Sequence, residues 1–240
     1  MNKKISIEKA VKIINSIKDR YPKLRQDSKK ISFAAQYGGT YHTFMDSGFS
    51  EDEAKQIEAN YNTLYKASLD WKNNKLHQAT KDGYVPLAFG GKLRTPILKQ
   101  TLLNTKVTPY EAEAEGRTAG NALGQSYGTL NNRAANEFMD LVYKSEYRNS
   151  IIPIAQIHDA QYYLAKRNID CIKFINDNLI KAMQWQELPE IQHDTVKLGA
   201  ELDVFHRGWH EPITVPNNCS REELIDILLT QTRKYNENNK

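Results

Sequence analysis

Cysteine is scarce in this chain: Cys171 and Cys219 are the two among 240 residues. Isolated in sequence, they build neither a disulfide framework nor a cysteine-type zinc site, which fits a reducing compartment. Long apolar runs are missing too. No window of about 18 apolar residues exists, which excludes a membrane-spanning helix. Met1-Asn2-Lys3-Lys4 is basic, but no apolar segment follows, so no secretory signal is read and a cytoplasmic location is expected. Internal repeats, low-complexity tracts, a Walker-type loop and a nucleophile elbow are all absent.

What is present describes an ordinary globular chain. The apolar fraction is 40% and the charged fraction 26%, enough to bury a real core. Lys and Arg number 33 against 29 Asp and Glu, a net charge of +4. This mild excess is compatible with a polyanionic partner without establishing one. The 13 tyrosines can stack on bases, but filling half-buried positions is their default use.

Periodicity orders the elements. Ile7, Ala10, Val11, Ile14 and Ile17 have helical spacing within a helix from Ile5 to Ile17, with Ser6 as N-cap. Tyr21-Pro22 interrupts it. A second helix is expected from Leu24 to Tyr37, ended by Gly38-Gly39. Ser50-Glu51-Asp52-Glu53 has a capping-box pattern and opens a third helix running toward Trp71 and Leu76. Asp82-Gly83 marks a turn into a strand from Tyr84 to Phe89, with Lys92 to Leu98 as its return. After Pro109 a helix is expected from Tyr110 to Tyr127, breaking near Gly128 and resuming from Asn131 to Ser145. Ile151 to Ile157 and Gln161 to Leu164 form a β-hairpin with His158-Asp159 at its tip. An amphipathic helix covers Ile169 to Trp185, and a last strand Val196 to Phe205. Residues 216–240 read as a polar tail with one short helix from Ser220 to Thr232 and a disordered tip at Asn236–Lys240. The order implies an α+β fold.

Three constellations carry chemistry. Arg25, Lys29, Phe33 and Tyr37 recur at four-residue steps, each advancing about 40°, so all lie within roughly 120° of one helix face. Two cations followed by two aromatics suit a triphosphate joined to a flat base. The plainer account is a solvated basic turn feeding an apolar packing stripe. Arg117, Asn121 and Gln125 share a second face, and amides with a guanidinium can reach base edges in a minor groove. Here the plainer account is a polar face in water. His158-Asp159 places a carboxylate at a hairpin tip, where magnesium can meet substrate phosphates; an aspartate at a turn is also commonplace.

The run from Arg25 to Gly38 resembles motif B of family A DNA polymerases, the group of bacterial DNA polymerase I and several phage replicases. That motif reads Arg, three residues, Lys, three residues, Phe or Tyr, three residues, Tyr-Gly, and every spacing matches. The resemblance implies that Arg25 and Lys29 hold the triphosphate, Phe33 packs on the sugar and base, and Tyr37 stacks near the templating position. Arg117, Asn121 and Gln125 resemble the family's helix that contacts primer and template from the minor-groove side. Gly83-Tyr84-Val85 through Thr95-Pro96 resembles the hairpin before it, with Gly91 and Lys92 in place of the usual arginine pair. Ile157-His158-Asp159 resembles motif C. That implies a metal-bridging role for Asp159 and a place near the primer terminus for His158. Val196, Leu198, Glu201 and Gly208-Trp209 resemble the closing strand.

Two departures shape the expectation. Ala160 stands where the family has a glutamate, and the upstream aspartate of motif A is missing, since residues 1–24 hold only Glu8 and Asp19 as acids. The resemblance covers roughly residues 24–210. It implies the C-terminal part of a DNA-directed DNA polymerase, a nucleotidyltransferase inactive as an isolated chain. The expected regions are fingers at 1–112, palm at 113–215 and a tail at 216–240. Expected companions are primer–template DNA, deoxynucleoside triphosphates, Mg2+, and an N-terminal fragment carrying motif A and a thumb, with or without an exonuclease. A phage split-gene subunit in a host cytoplasm fits this pattern. A non-catalytic nucleic-acid-binding fragment or inactive remnant is the alternative. A zinc pair from His206 and His210 is disfavoured by the strand-like Leu202–Phe205 and by Gly208. Glu111, Glu113 and Glu115 read as first-turn charges at a helix N-terminus.

Overall fold

The computed structural model describes residues 6–101, 109–205 and 208–238. The expectations at Met1–Ile5, His206 and the last two residues of the tip therefore lie outside the described residues. The chain divides into two compact units, Met1–Ser126 and Tyr127–Lys240. The sequence reading placed its regional division at 112/113.

In the first unit, α1 (Ile7–Arg20) is capped by Ser6, whose hydroxyl accepts from the Lys9 amide. Tyr21 closes it, and Pro22 opens α2 (Pro22–Gln36) at a position where its missing N–H costs nothing. Gly38 ends α2 with φ +86°. A short helix α3 (Tyr41–Asp46), not anticipated from the sequence, buries Phe44 against Ile31, Ala35 and Ala54. The capping box at Ser50 is present in full and starts α4 (Glu51–Leu64). The expected single helix stops at Tyr65, and α5 (Lys66–Asp82) begins anew. Gly83 caps α5 in the left-handed conformation and leads into the antiparallel pair β1 (Tyr84–Pro86) and β2 (Lys92–Arg94). After Pro109 comes α6 (Tyr110–Gln125). Ala79, Val85, Ala119 and Leu123 form the core that joins α5, β1 and α6.

In the second unit, α7 (Thr129–Lys144) follows a 3-10 turn at Ser126–Gly128, the break expected near Gly128. The expected hairpin is β3 (Ile151–Ile157) with β4 (Ala160–Ala165). α8 (Ile169–Met183) packs under it through Phe138, Val142, Ile151, Cys171, Ile175 and Leu179.

The last strand is shorter than expected. Residues 196–201 are not strand because a side chain satisfies their backbone. Gln186 Nε2 donates to the Val196 carbonyl at 2.9 Å, and Gln186 Oε1 accepts from the Leu198 amide at 3.0 Å. Strand begins at β5 (Leu202–Phe205), which pairs with an unanticipated β6 (Pro212–Val215). The expected polar tail carries a longer helix, α9 (Arg221–Asn238). Leu224 is fully buried with Val215 and Cys219, and Arg221 bonds Asp170 at 2.6 Å. That pairing lowers the Asp170 carboxyl below its ordinary range.

Candidate nucleic-acid interface

The first unit holds two of the three constellations. On α2, burial falls on Ile31 and Ala35. These lie about 200° around the helix from Lys29 and Phe33, so the Arg25–Tyr37 face looks outward. Phe33 is 59% exposed and Tyr37 47%. The aromatics are therefore not an apolar packing stripe of this unit's core. No acidic residue occupies the first turn of α2, and the helix's one ion pair among the described residues joins Lys30 to Asp27 at 3.9 Å. Among the described residues neither Arg25 nor Lys29 is in an ion pair.

The C-terminal end of α2 meets α6. Asn121 Nδ2 donates to the Tyr37 carbonyl at 3.4 Å. A Cβ on Gly38 would lie 3.7 Å from the Arg117 methylenes, so the guanidinium stem runs along the helix end. Arg117 also lies 4.0 Å from Glu113 and 5.7 Å from the centre of the Tyr110 ring. Two faces that the sequence offers separately thus converge at Tyr37, Arg117 and Asn121. They line one cavity of about 320 Å3. Arg25, Lys29, Phe33 and Gln125 do not line it; Gln125 is exposed at the last residue of α6.

Sequence reasoning missed the third wall. Lys72, Asn73 and His77 on α5 face the same cavity. Their spacing with Leu76, positions i, i+1, i+4 and i+5, is a helical face and was the available signal. The stem of Lys72 lies over Gly120, where a Cβ would sit 3.1 Å from its Cδ. Burial pushes the Lys72 ammonium below its ordinary pKa. The lining mixes these cations, amides and an aromatic with one carboxylate, Glu113, beside Arg117, a set that suits a polar ligand carrying a flat ring.

The third constellation belongs to the second unit. His158 and Asp159 form the exposed tip between β3 and β4, and His158 has φ +55°. Asn131 of α7 donates to the His158 carbonyl at 3.3 Å. The sequence reading did not select Asn131. Trp209 stacks between Tyr162, at 5.1 Å, and Phe205, at 5.3 Å. A magnesium pair of the kind the resemblance implies does not fit this chain taken alone. Among the described residues no three His, Cys, Asp or Glu side chains cluster, and Ala160 adds no oxygen beside Asp159.

No protein-family model matches the chain, and no curated protein matches it. Solved structures do. One is the polymerase domain of Pol1 from M. smegmatis, in complex with DNA primer-template and dNTP. The match has a TM-score of 0.56 at 20% identity, covering 69% of this chain and 29% of that one. The likeness is one of fold: this chain has the α+β architecture of part of a DNA polymerase domain.

Proposed function

We propose that this chain is the nucleotide- and template-handling part of a DNA-directed DNA polymerase. In this reading Arg25 and Lys29 hold the triphosphate of an incoming deoxynucleotide, and Phe33 meets its sugar. Tyr37 sits by the templating base. Arg117, Asn121, Gln125 and His158 contact primer and template. Asp159 is this chain's ligand to Mg2+. The observation that carries the reading is the outward α2 face with its end tied to Arg117 and Asn121 around one cavity. A solvated basic turn has no need of exposed aromatics, and a core stripe would have buried them.

Two metal ions about 3.5–4 Å apart need more than one carboxylate. The remaining ligand belongs, in this proposal, to another polypeptide segment that brings motif A and a thumb.

The test is binding before catalysis. Fluorescence anisotropy with labelled primer–template should show salt-sensitive binding by the purified chain. Arg117→Ala should weaken that binding several-fold. Lys29→Ala should leave it nearly unchanged and instead weaken deoxynucleotide binding. The same defect in both variants would collapse the two-face assignment, and no DNA binding at all would end the proposal. The purified chain should not extend primers. Extension should appear on mixing with a motif A fragment and vanish with Asp159→Asn. The alternative, a non-catalytic nucleic-acid-binding fragment, draws on the lone Asp159. It predicts DNA binding with no extension under any complementation.

A further inference from the structure

The strained turn at His158-Asp159 is held from behind by amide side chains. A non-glycine residue at φ +55° is sparsely populated and persists where its surroundings over-determine it. Those surroundings are specific. Asn131, 8% exposed in the first turn of α7, donates from Nδ2 to the His158 carbonyl at 3.3 Å. Its Oδ1 accepts from Gln161 Nε2 at 2.8 Å, and its backbone carbonyl accepts from the same nitrogen at 2.6 Å. Gln161 Oε1 in turn accepts from the Tyr163 hydroxyl at 2.5 Å. On the other strand, Gln156 Nε2 donates to Asn132 Oδ1. Gln156 and Gln161 are directly opposite in the ladder. Both strands leaving the turn are therefore latched to consecutive asparagines of α7.

Asparagine is an unusual filler for a buried position such as that of Asn131. Buried Asn131 and its exposed neighbour Asn132, each bonded to one member of a cross-strand pair, hold both strands of the hairpin. A single bond would leave it free to rock.

We propose that Asn131, backed by Gln161 and by the Asn132–Gln156 bond, is a positioning residue that sets the orientation of the His158-Asp159 turn. The functional weight of this inference rests on the proposed role of that turn; its structural content does not. By fixing the His158 carbonyl, Asn131 fixes the backbone from which the Asp159 carboxylate projects. Ala160 follows Asp159, so no side-chain polar group at the next position helps to orient it. Mechanical orientation by neutral amides does that work without adding charge near an anionic substrate.

The test uses the 15N-labelled full chain. Asn131→Leu removes donor and acceptor while keeping the branched shape and the number of side-chain heavy atoms, and raises helix propensity. Asn131→Asp keeps an acceptor for Gln161 and removes only the donor to His158. In both, the order parameters of residues 158–160 should drop from about 0.85 toward 0.6 or below. The β3–β4 cross-strand contacts and the melting temperature of Asn131→Leu should hold. A purely structural role predicts the reverse: a lowered melting temperature with the turn as ordered as before, which would overturn the proposal. Loss of the folded spectrum in both variants would overturn it as well. Primer–template affinity, read in parallel, separates the two claims. A loosened turn with unchanged affinity supports the positioning role and removes His158 from the DNA interface.

Discussion

At Phe33 the two accounts of α2 make opposite demands. A core phenylalanine resists a hydroxyl, because the group is left unpaired at a cost of roughly 1–3 kcal/mol. A site phenylalanine on the surface does not. Phe33 is 59% exposed, so Phe33→Tyr should melt within about 1 °C of the parent chain by calorimetry. In an assembly able to extend primers, the same variant should accept dideoxynucleotides more readily, since the new hydroxyl can stand in for a missing 3′-hydroxyl. An unchanged dideoxy-to-deoxy ratio with a depressed melting temperature would take Phe33 out of the site. Spacing showed this residue in register with Lys29, but not whether the ring faced water. That depends on Ile31 and Ala35 finding Phe44 and Ala54, residues 9 to 23 positions away along the chain.

Among the elements, the stop of α2 and the run of α6 make opposite uses of glycine. A Cβ on Gly39 would lie 2.8 Å from the Ala34 carbonyl oxygen, a backbone atom that cannot swing aside. Gly39→Ala should therefore cost roughly 1–3 kcal/mol in urea unfolding and disturb the junction where Tyr37 meets Asn121. Gly124 lies inside α6 with nothing within 4 Å of a built Cβ. Gly124→Ala should stabilise by roughly 0.5–1 kcal/mol, the ordinary gain from a less flexible unfolded chain. Equal effects of the two substitutions would show that the turn after α2 is not tightly closed. Local signals forecast element ends well here: Ser6 and the Ser50 capping box cap as read, and the turn read at Asp82-Gly83 is where Gly83 ends α5. They failed where a distant side chain replaced a backbone partner, as Gln186 does for residues 196 and 198.

For the whole molecule, alkaline pH probes the clamp behind the hairpin. Burial pushes the Tyr163 phenol up to about 12. Tyr61, Tyr127 and Tyr147 are raised too, chiefly by burial. A folded-state pKa above the unfolded value near 10 means the unfolded chain loses its protons first as pH rises. Stability is thus fully present below pH 10 and is lost progressively toward pH 12. Denaturant unfolding at stepped pH should show this decline, and Tyr163→Phe should make it shallower. An equally steep decline in that variant would mean the phenol is not protected. The sequence by itself determined most of the long helices and several of their caps, the hairpin with His158-Asp159 at its tip, and the in-register faces of α2 and α6. Each is written in spacings of two, three or four residues. The sequence missed the short α3 and the break between α4 and α5. Only the tertiary structure decided which faces meet. Joining Tyr37 to Asn121, bringing Lys72 to the same cavity and setting Asn131 behind His158 are contacts between segments 27 to 84 residues apart. No local period records such a pairing, because it is selected by which buried surfaces close together and which buried polar groups find partners.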